Sequence, residues 1–272
     1  YLSDKATNPA KWIIPSSFIV PANGTTIIYC SGRDELIAGI AHTNFKITQT
    51  KGSEVFMLSD ASGVLQDSIR VLPNQNSHTR GRETNGSAIW SLFTTGTPGA
   101  NNTGAMQEYA ITPVFSQIGG YYAGAVNLIL SSPDPLSTIY YTTNGDNPDN
   151  TSTSYSVPIN ISTTTIVKAI AYSSTTNIPA SFIDFHTFFI NNTHTIPILS
   201  VSGDSVDVLI EDGVDDLGNW WNPIPHRPKG TVEWYDKNGI LLDKGTGEYN
   251  KHGNDSWAYD QRGFDYVMRD QF

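Results

Sequence analysis

Carboxylates are densest in one short stretch of the chain, where Asp204, Asp207, Glu211, Asp212, Asp215 and Asp216 follow closely on one another. Oxygens in such number are what a Ca²⁺ ion gathers, since it takes roughly six to eight of them. Asp212, Asp215 and Asp216 are the candidate metal ligands. The stretch lacks the Asp-x-Asp-x-Asp-Gly spacing of a calcium loop, so a solvated acidic loop is the simpler account. Trp220-Trp221 follows it. Exposed indoles suit sugar rings because their faces are apolar and their edges can hydrogen-bond, which makes this pair the candidate ligand-binding site. The competing reading is an anchor that ties the loop to the core, stiffened by Pro223 and Pro225. Gly245-Thr246-Gly247 is the one glycine pattern able to cover phosphates, but it has no third glycine, and a tight turn is expected there. His252 could act as a base, yet no Ser or Cys nucleophile with an orienting partner stands beside it, and a hydrogen-bonded structural histidine is expected. No catalytic residue is assigned.

Two serines invite modification. Asp67-Ser68-Ile69 and Asp204-Ser205-Val206 resemble the Asp-Ser/Thr-aliphatic pattern that some bacteria O-glycosylate in exported proteins, so Ser68 and Ser205 are candidate attachment points. An ordinary strand or turn is the alternative, and alternation along a strand would then put Ser68 on the opposite side from Asp67 and Ile69. The Asn-x-Ser/Thr sites at Asn23, Asn85 and Asn101 are expected by chance in so polar a chain.

The elements that must position these residues are strands. Only 38% of the 272 residues are hydrophobic and 15% charged, while Thr, Ser, Asn, Gly and Tyr recur throughout, which favours strands and polar turns over long helices. The length has room for two or three domains. Lys and Arg total 16 against 26 acids, and the net charge of −10 argues against nucleic acid or an anionic membrane as partner. Cys30 is the only cysteine, which rules out a disulfide framework and a cysteine-based zinc site. It reads as a small buried residue ending the strand Thr25–Cys30. No apolar run is long enough to cross a bilayer as a helix. The chain starts at Tyr1 without methionine, which leads us to expect a mature or partial sequence.

Charge divides the chain into three. Residues 1–105 are nearly balanced, residues 106–190 hold Lys168 as their one basic residue, and residues 191–272 carry most of the negative charge. Polar Gly/Pro/Asn/Thr stretches at 94–104 and 191–195 mark the junctions, the second short enough to keep its neighbours in contact. Glu54–Leu58, the turn at Ser59–Gly63 and Val64–Ile69 form a hairpin. Ile139–Thr143 runs into the Asn144-Gly145 turn, for which a tight hairpin is expected, and Thr165–Tyr172 alternates as a strand.

These patterns carry three resemblances. Tyr1-Leu2-Ser3-Asp4, Trp12, Ala22-Asn23-Gly24, His42-Thr43-Asn44-Phe45-Lys46, Asp67-Ser68-Ile69, Gly86-Ser87 before Trp90, and Thr97-Pro98-Gly99 resemble, in that order, a bacterial lamin-tail domain. That family is an immunoglobulin-like sandwich, and its first strands would precede Tyr1. The aspartate that usually precedes the Gly-Ser pair is Asn85 here. Gly119-Gly120-Tyr121-Tyr122, the Asn-Gly turn, Tyr155 and Thr165–Tyr172 resemble the immunoglobulin-like C-terminal module of chitobiases, over residues 110–190. Ile196–Val201, Arg227–Gly239, Gly245–Gly253 and Arg262–Tyr266 resemble the first part of a CotH-type domain, a divergent relative of protein kinases. Its active members carry their nucleotide and metal ligands beyond the part that matches, so the resemblance implies ATP and Mg²⁺ for a full-length protein and no cofactor in residues 1–272.

The expected architecture is mainly β: a lamin-tail-like sandwich over 1–105, a chitobiase-type sandwich over 110–190, and a partial α+β CotH-type segment over 191–272. The expected function is that of a bacterial cell-surface or secreted modular protein. Its sandwiches would serve scaffolding, adhesion or contact with a protein or glycan partner outside the cell. The alternatives are the accessory and N-terminal part of an extracellular CotH-type kinase, and a carbohydrate-binding surface protein.

Overall fold

Short runs of Ile, Val, Thr and Tyr, cut by Gly, Asn and Asp, fit a pleated surface better than a helix. A computed structural model describes residues 1–47, 52, 54–207, 209, 227–252 and 263–268, and nearly all of their regular structure is strand. The chain divides into two units, Tyr1–Ala105 and Met106–Phe272.

The first unit holds β1 (Leu2–Ser3), β2 (Ile28–Tyr29), β3 (Glu35–Ile37), β4 (Ile40–His42), β5 (Val55–Ser59), β6 (Leu65–Arg70), β7 (Thr79–Arg82) and β8 (Trp90–Phe93). They form the sheets β1-β5-β6, β2-β4-β3 and β7-β8. The hairpin β5–β6 turns at Asp60, whose carboxylate accepts the backbone N–H groups of Ser62 and Val64, each at 2.9 Å. Leu2, Trp12, Ala41 and Phe45 make the core, with Cys30 half-buried beside them. Burying each large apolar side chain stabilises by roughly 1.5–3 kcal/mol. The polar edge of Trp12 is satisfied, its Nε1 donating to Asp34 Oδ1 at 2.9 Å. The strand expected over Thr25–Cys30 is confined to Ile28–Tyr29, which pairs in parallel with β4.

The second unit begins with β9 (Val114–Phe115), β10 (Gly120–Tyr122), β11 (Val126–Leu128), β12 (Leu130–Ser131), β13 (Ser137–Thr142), β14 (Thr153–Ser154), β15 (Ile159–Ile161), β16 (Thr165–Ser173) and β17 (Asp184–Ile190). A five-stranded sheet, β10-β17-β16-β13-β14, packs against the pairs β11-β15 and β9-β12. Val126, Leu128, Leu130, Ile139, Ile161, Val167, Ala169, Phe188 and Ile190 fill the space between. This is the immunoglobulin-like sandwich expected for the central module. The return from β13 is not a tight hairpin, because Asn144-Gly145 only opens the loop 143–152 before β14 pairs back.

Four further strands, β18 (Ile198–Gly203), β19 (Lys229–Tyr235), β20 (Leu241–Lys251) and β21 (Phe264–Met268), form an antiparallel sheet in that order. Gly245 and Gly247 lie inside β20, both paired to β19 and Gly247 also to β21, so the turn expected there is absent. The glycines serve close packing instead: a Cβ on Gly245 would fall 2.2 Å from the Met268 side chain.

Candidate functional site

Strands β16 and β17 are buried on both faces, which a sheet with one solvated side would not show. Alternate residues Val167, Ala169, Phe188 and Ile190 line the sandwich core. The residues between them, Lys168, Ile170, Thr187 and Phe189, are equally buried and belong to the opposite face. There the sheet β18–β21 covers them, and a polar cluster forms at the junction.

Glu233 of β19 is at its centre, fully buried. Thr187 Oγ1 donates to Glu233 Oε2 at 2.5 Å, and the Tyr235 hydroxyl donates to Oε1 at 2.6 Å. The Thr187 N–H reaches the same Oε1 at 3.3 Å, and the Thr187 hydroxyl meets Ser200 Oγ at 2.8 Å. Burial pushes the Glu233 carboxyl above the usual carboxylate range, against the pull of the Thr187 and Tyr235 hydrogen bonds and the Lys244 charge. Burial and the neighbouring carboxylate raise the Tyr235 phenol as well. The Tyr235 ring also packs edge-on against Phe189, centroids 5.3 Å apart.

Lys244 of β20 pairs with Asp184 at the start of β17 and donates to the Phe185 carbonyl at 3.1 Å. His186 lies between these groups, its Nδ1 buried without a hydrogen-bond partner among the described residues and 3.8 Å from Glu233 Oε1. Burial, and then the Lys244 ammonium, lower its imidazole to about 4, while Asp184 opposes the shift. The ring is therefore neutral at pH 7, set edge-on to Phe115. Further along the same face, Lys168 Nζ donates to Asn147 Oδ1 at 3.1 Å, and the Asn147 N–H donates to Asp204 Oδ1 at 2.8 Å. Burial lowers the Lys168 amine to about 8, opposed by Asp204, Asp146 and Glu233.

Two glycines let the layers approach. A Cβ on Gly119 would sit 2.1 Å from the Tyr235 hydroxyl and 2.7 Å from the Thr187 carbonyl. Gly239, at φ +77 in the turn between β19 and β20, would collide with the Tyr121 ring at 2.6 Å. The cluster is therefore a closed polar seam. Hydroxyl, carboxyl and ammonium groups satisfy one another and fix how the sheet β18–β21 sits on the sandwich.

The residues singled out from sequence lie elsewhere. Asp212, Asp215, Asp216, Trp220 and Trp221 fall outside the described residues. Among the described residues no group of three or more His, Cys, Asp and Glu is arranged to hold a metal ion. Ser68 is exposed on β6, and its neighbour Asp67 is gripped by Arg82 Nη2 at 2.6 and 2.7 Å. Ser205 is exposed in a turn with φ of 59. His252 is exposed, its Nδ1 2.8 Å from Asp265 Oδ1. Burial raises the Cys30 thiol above its ordinary value.

Sequence reasoning missed Thr187, Glu233, Tyr235 and Lys168. The available signal was alternation, which puts Thr231, Glu233 and Tyr235 on one face of β19 and Val232 and Trp234 on the other. The side holding Glu233 is the buried one, and Trp234 is 51% exposed.

Openings among the described residues border the sandwich. A cleft of about 730 Å³ is lined by Phe115, Gln117, Ile118, Tyr122 and Asn127 among others. One of about 300 Å³ lies between Asn144-Gly145-Asp146 and Val201–Gly203, with Val206 and Asp207. No helix among the described residues is long and apolar enough to cross a membrane.

No curated protein and no solved structure matches this chain. One family model does: residues 117–182, from just before β10 to just before β17, are similar to the chitobiase/beta-hexosaminidase C-terminal domain.

Proposed function

We propose that the chain is a scaffold segment of a bacterial protein that works outside the cell. In this reading the central sandwich and the sheet β18–β21 act as one stiff body that holds a protein or glycan partner in a fixed orientation at the cell surface. The observation that carries the reading is the bond between Thr187 and Glu233, because a buried carboxyl satisfied across two layers ties them together. The similarity of residues 117–182 to the chitobiase/beta-hexosaminidase C-terminal domain supports a modular β-sandwich protein. Location outside the cell is inferred from the resemblance of the modules to families frequent in exported bacterial proteins, with which the single cysteine, the low lysine content and the Thr/Ser/Asn-rich strands agree.

The test has two readouts. In the natural host, protease shaving of intact cells should release peptides from residues 106–207. Recovery of those peptides only after lysis overturns the location. In solution, residues 106–272 should unfold in one transition by both calorimetry and tryptophan fluorescence. Separate transitions for sandwich and sheet overturn the single stiff body.

A further inference from the structure

Lys168 has no exposed surface, although a buried ammonium is expensive unless it is paired. Among the described residues its hydrogen-bond partner is a carboxamide, Asn147 Oδ1 at 3.1 Å, and not a carboxylate. The amide C=O bond is about 1.23 Å long, so the amine lies within about 4.3 Å of Asn147 Cγ, a small rotation from contact. Burial shifts the amine toward its neutral form, which is the nucleophilic one. Asn147 is held from its other side, where its N–H meets Asp204 Oδ1 at 2.8 Å. Pro148 follows it and has no N–H, which closes the usual route by which asparagine cyclises onto the next residue.

We propose that Lys168 and Asn147 become joined by a side-chain amide once the fold has formed. The neutral Nζ adds to Asn147 Cγ, the Nζ–Cγ bond forms and the Cγ–Nδ2 bond breaks. The amine gives up one proton, which departs with Nδ2 as ammonia. Atoms and charge balance without oxidant, reductant or co-reactant. Asp204 is a positioning residue: its grip on the Asn147 backbone holds the carboxamide over the amine. The bond would fasten the loop 143–152 to β16. It is independent of the scaffold reading, which holds or fails on location and cooperative unfolding.

Mass spectrometry and trypsin together test the bond. Lys168 is the one tryptic site between Arg82 and Lys229, because Pro228 protects the bond after Arg227. The intact wild-type chain should be lighter than its sequence by one ammonia, and the denatured chain should resist cleavage after Lys168. Asn147→Ala should restore both the full mass and the cleavage. Asp204→Ala should slow the appearance of the mass deficit severalfold in freshly refolded protein. Cyclisation at Asn144-Gly145 also sheds ammonia but leaves Lys168 cleavable, so a mass deficit with normal cleavage overturns the proposal. A full mass in folded wild-type protein overturns it too, whatever the variants do.

Discussion

Thr187 and Glu233 stand 46 residues apart in sequence and meet through a 2.5 Å hydrogen bond inside the second unit. The carboxyl serves three donors at once: the Thr187 hydroxyl, the Thr187 N–H and the Tyr235 hydroxyl. Removing it would strand all of them without water. We expect Glu233→Ala to destabilise residues 106–272 by about 3–5 kcal/mol in urea unfolding, the range for breaking a buried polar partnership from one side. Glu233→Gln keeps an acceptor and adds a donor that Thr187 Oγ1 can accept, and its cost should stay within about 1 kcal/mol.

Acid should loosen the same seam through His186. Its folded value of about 4 lies below its ordinary 6.5, so the unfolded chain binds more protons between those limits. The stability tied to the neutral ring is complete above about pH 6.5 and is lost as pH falls toward 4. For a side chain only 7% exposed, the loss is on the order of 3 kcal/mol. Glu233 works in the opposite sense, since a raised carboxyl favours the folded state as acid is added. Urea unfolding of wild type and His186→Phe across this range should therefore show a shallower acid loss in the variant.

Gly119 offers a test of the close approach. Gly119→Ala drives a methyl group against the Tyr235 hydroxyl and the Thr187 backbone, and we expect a cost of roughly 1–3 kcal/mol. Gly124→Ala is the control: a Cβ there meets nothing within 4 Å, and thermal unfolding should hardly change.

Modification can be read directly on protein from the natural host. Ser68 and Ser205 are both exposed, as attachment of a sugar requires. If the host glycosylates Asp-Ser-aliphatic sites, peptides containing these serines should carry hexose-type mass additions. Unmodified peptides from protein recovered outside the cell would end that expectation.

Much of the strand pattern was legible in the sequence. The hairpin through Asp60–Gly63 and the long strand ending near Tyr172 announce themselves by alternation and turn residues, and both are present. The seam was not legible, because hydrophobic alternation assigns the apolar side of a strand to the core. On β19 the apolar Trp234 faces out, and Glu233 is buried because Thr187 and Tyr235 satisfy it. Lys168 hides in the same way, one charge in an apolar run whose two faces are both covered. Gly245-Thr246-Gly247 misled for a third reason: a glycine pair that signals a turn locally can equally serve a neighbouring strand that needs room.

The first strand of the five-stranded sheet, β10, runs parallel to the last, β17, with Gly120 opposite Phe188 and Tyr122 opposite Ile190. Chain entering β10 and chain leaving β17 therefore lie at opposite ends of one hydrogen-bonded pair. Tension applied along the chain would load those bonds in shear, all together, instead of peeling them one at a time. A module wired in this way resists stretching far better than its small number of hydrogen bonds suggests, which suits a link that must transmit pull.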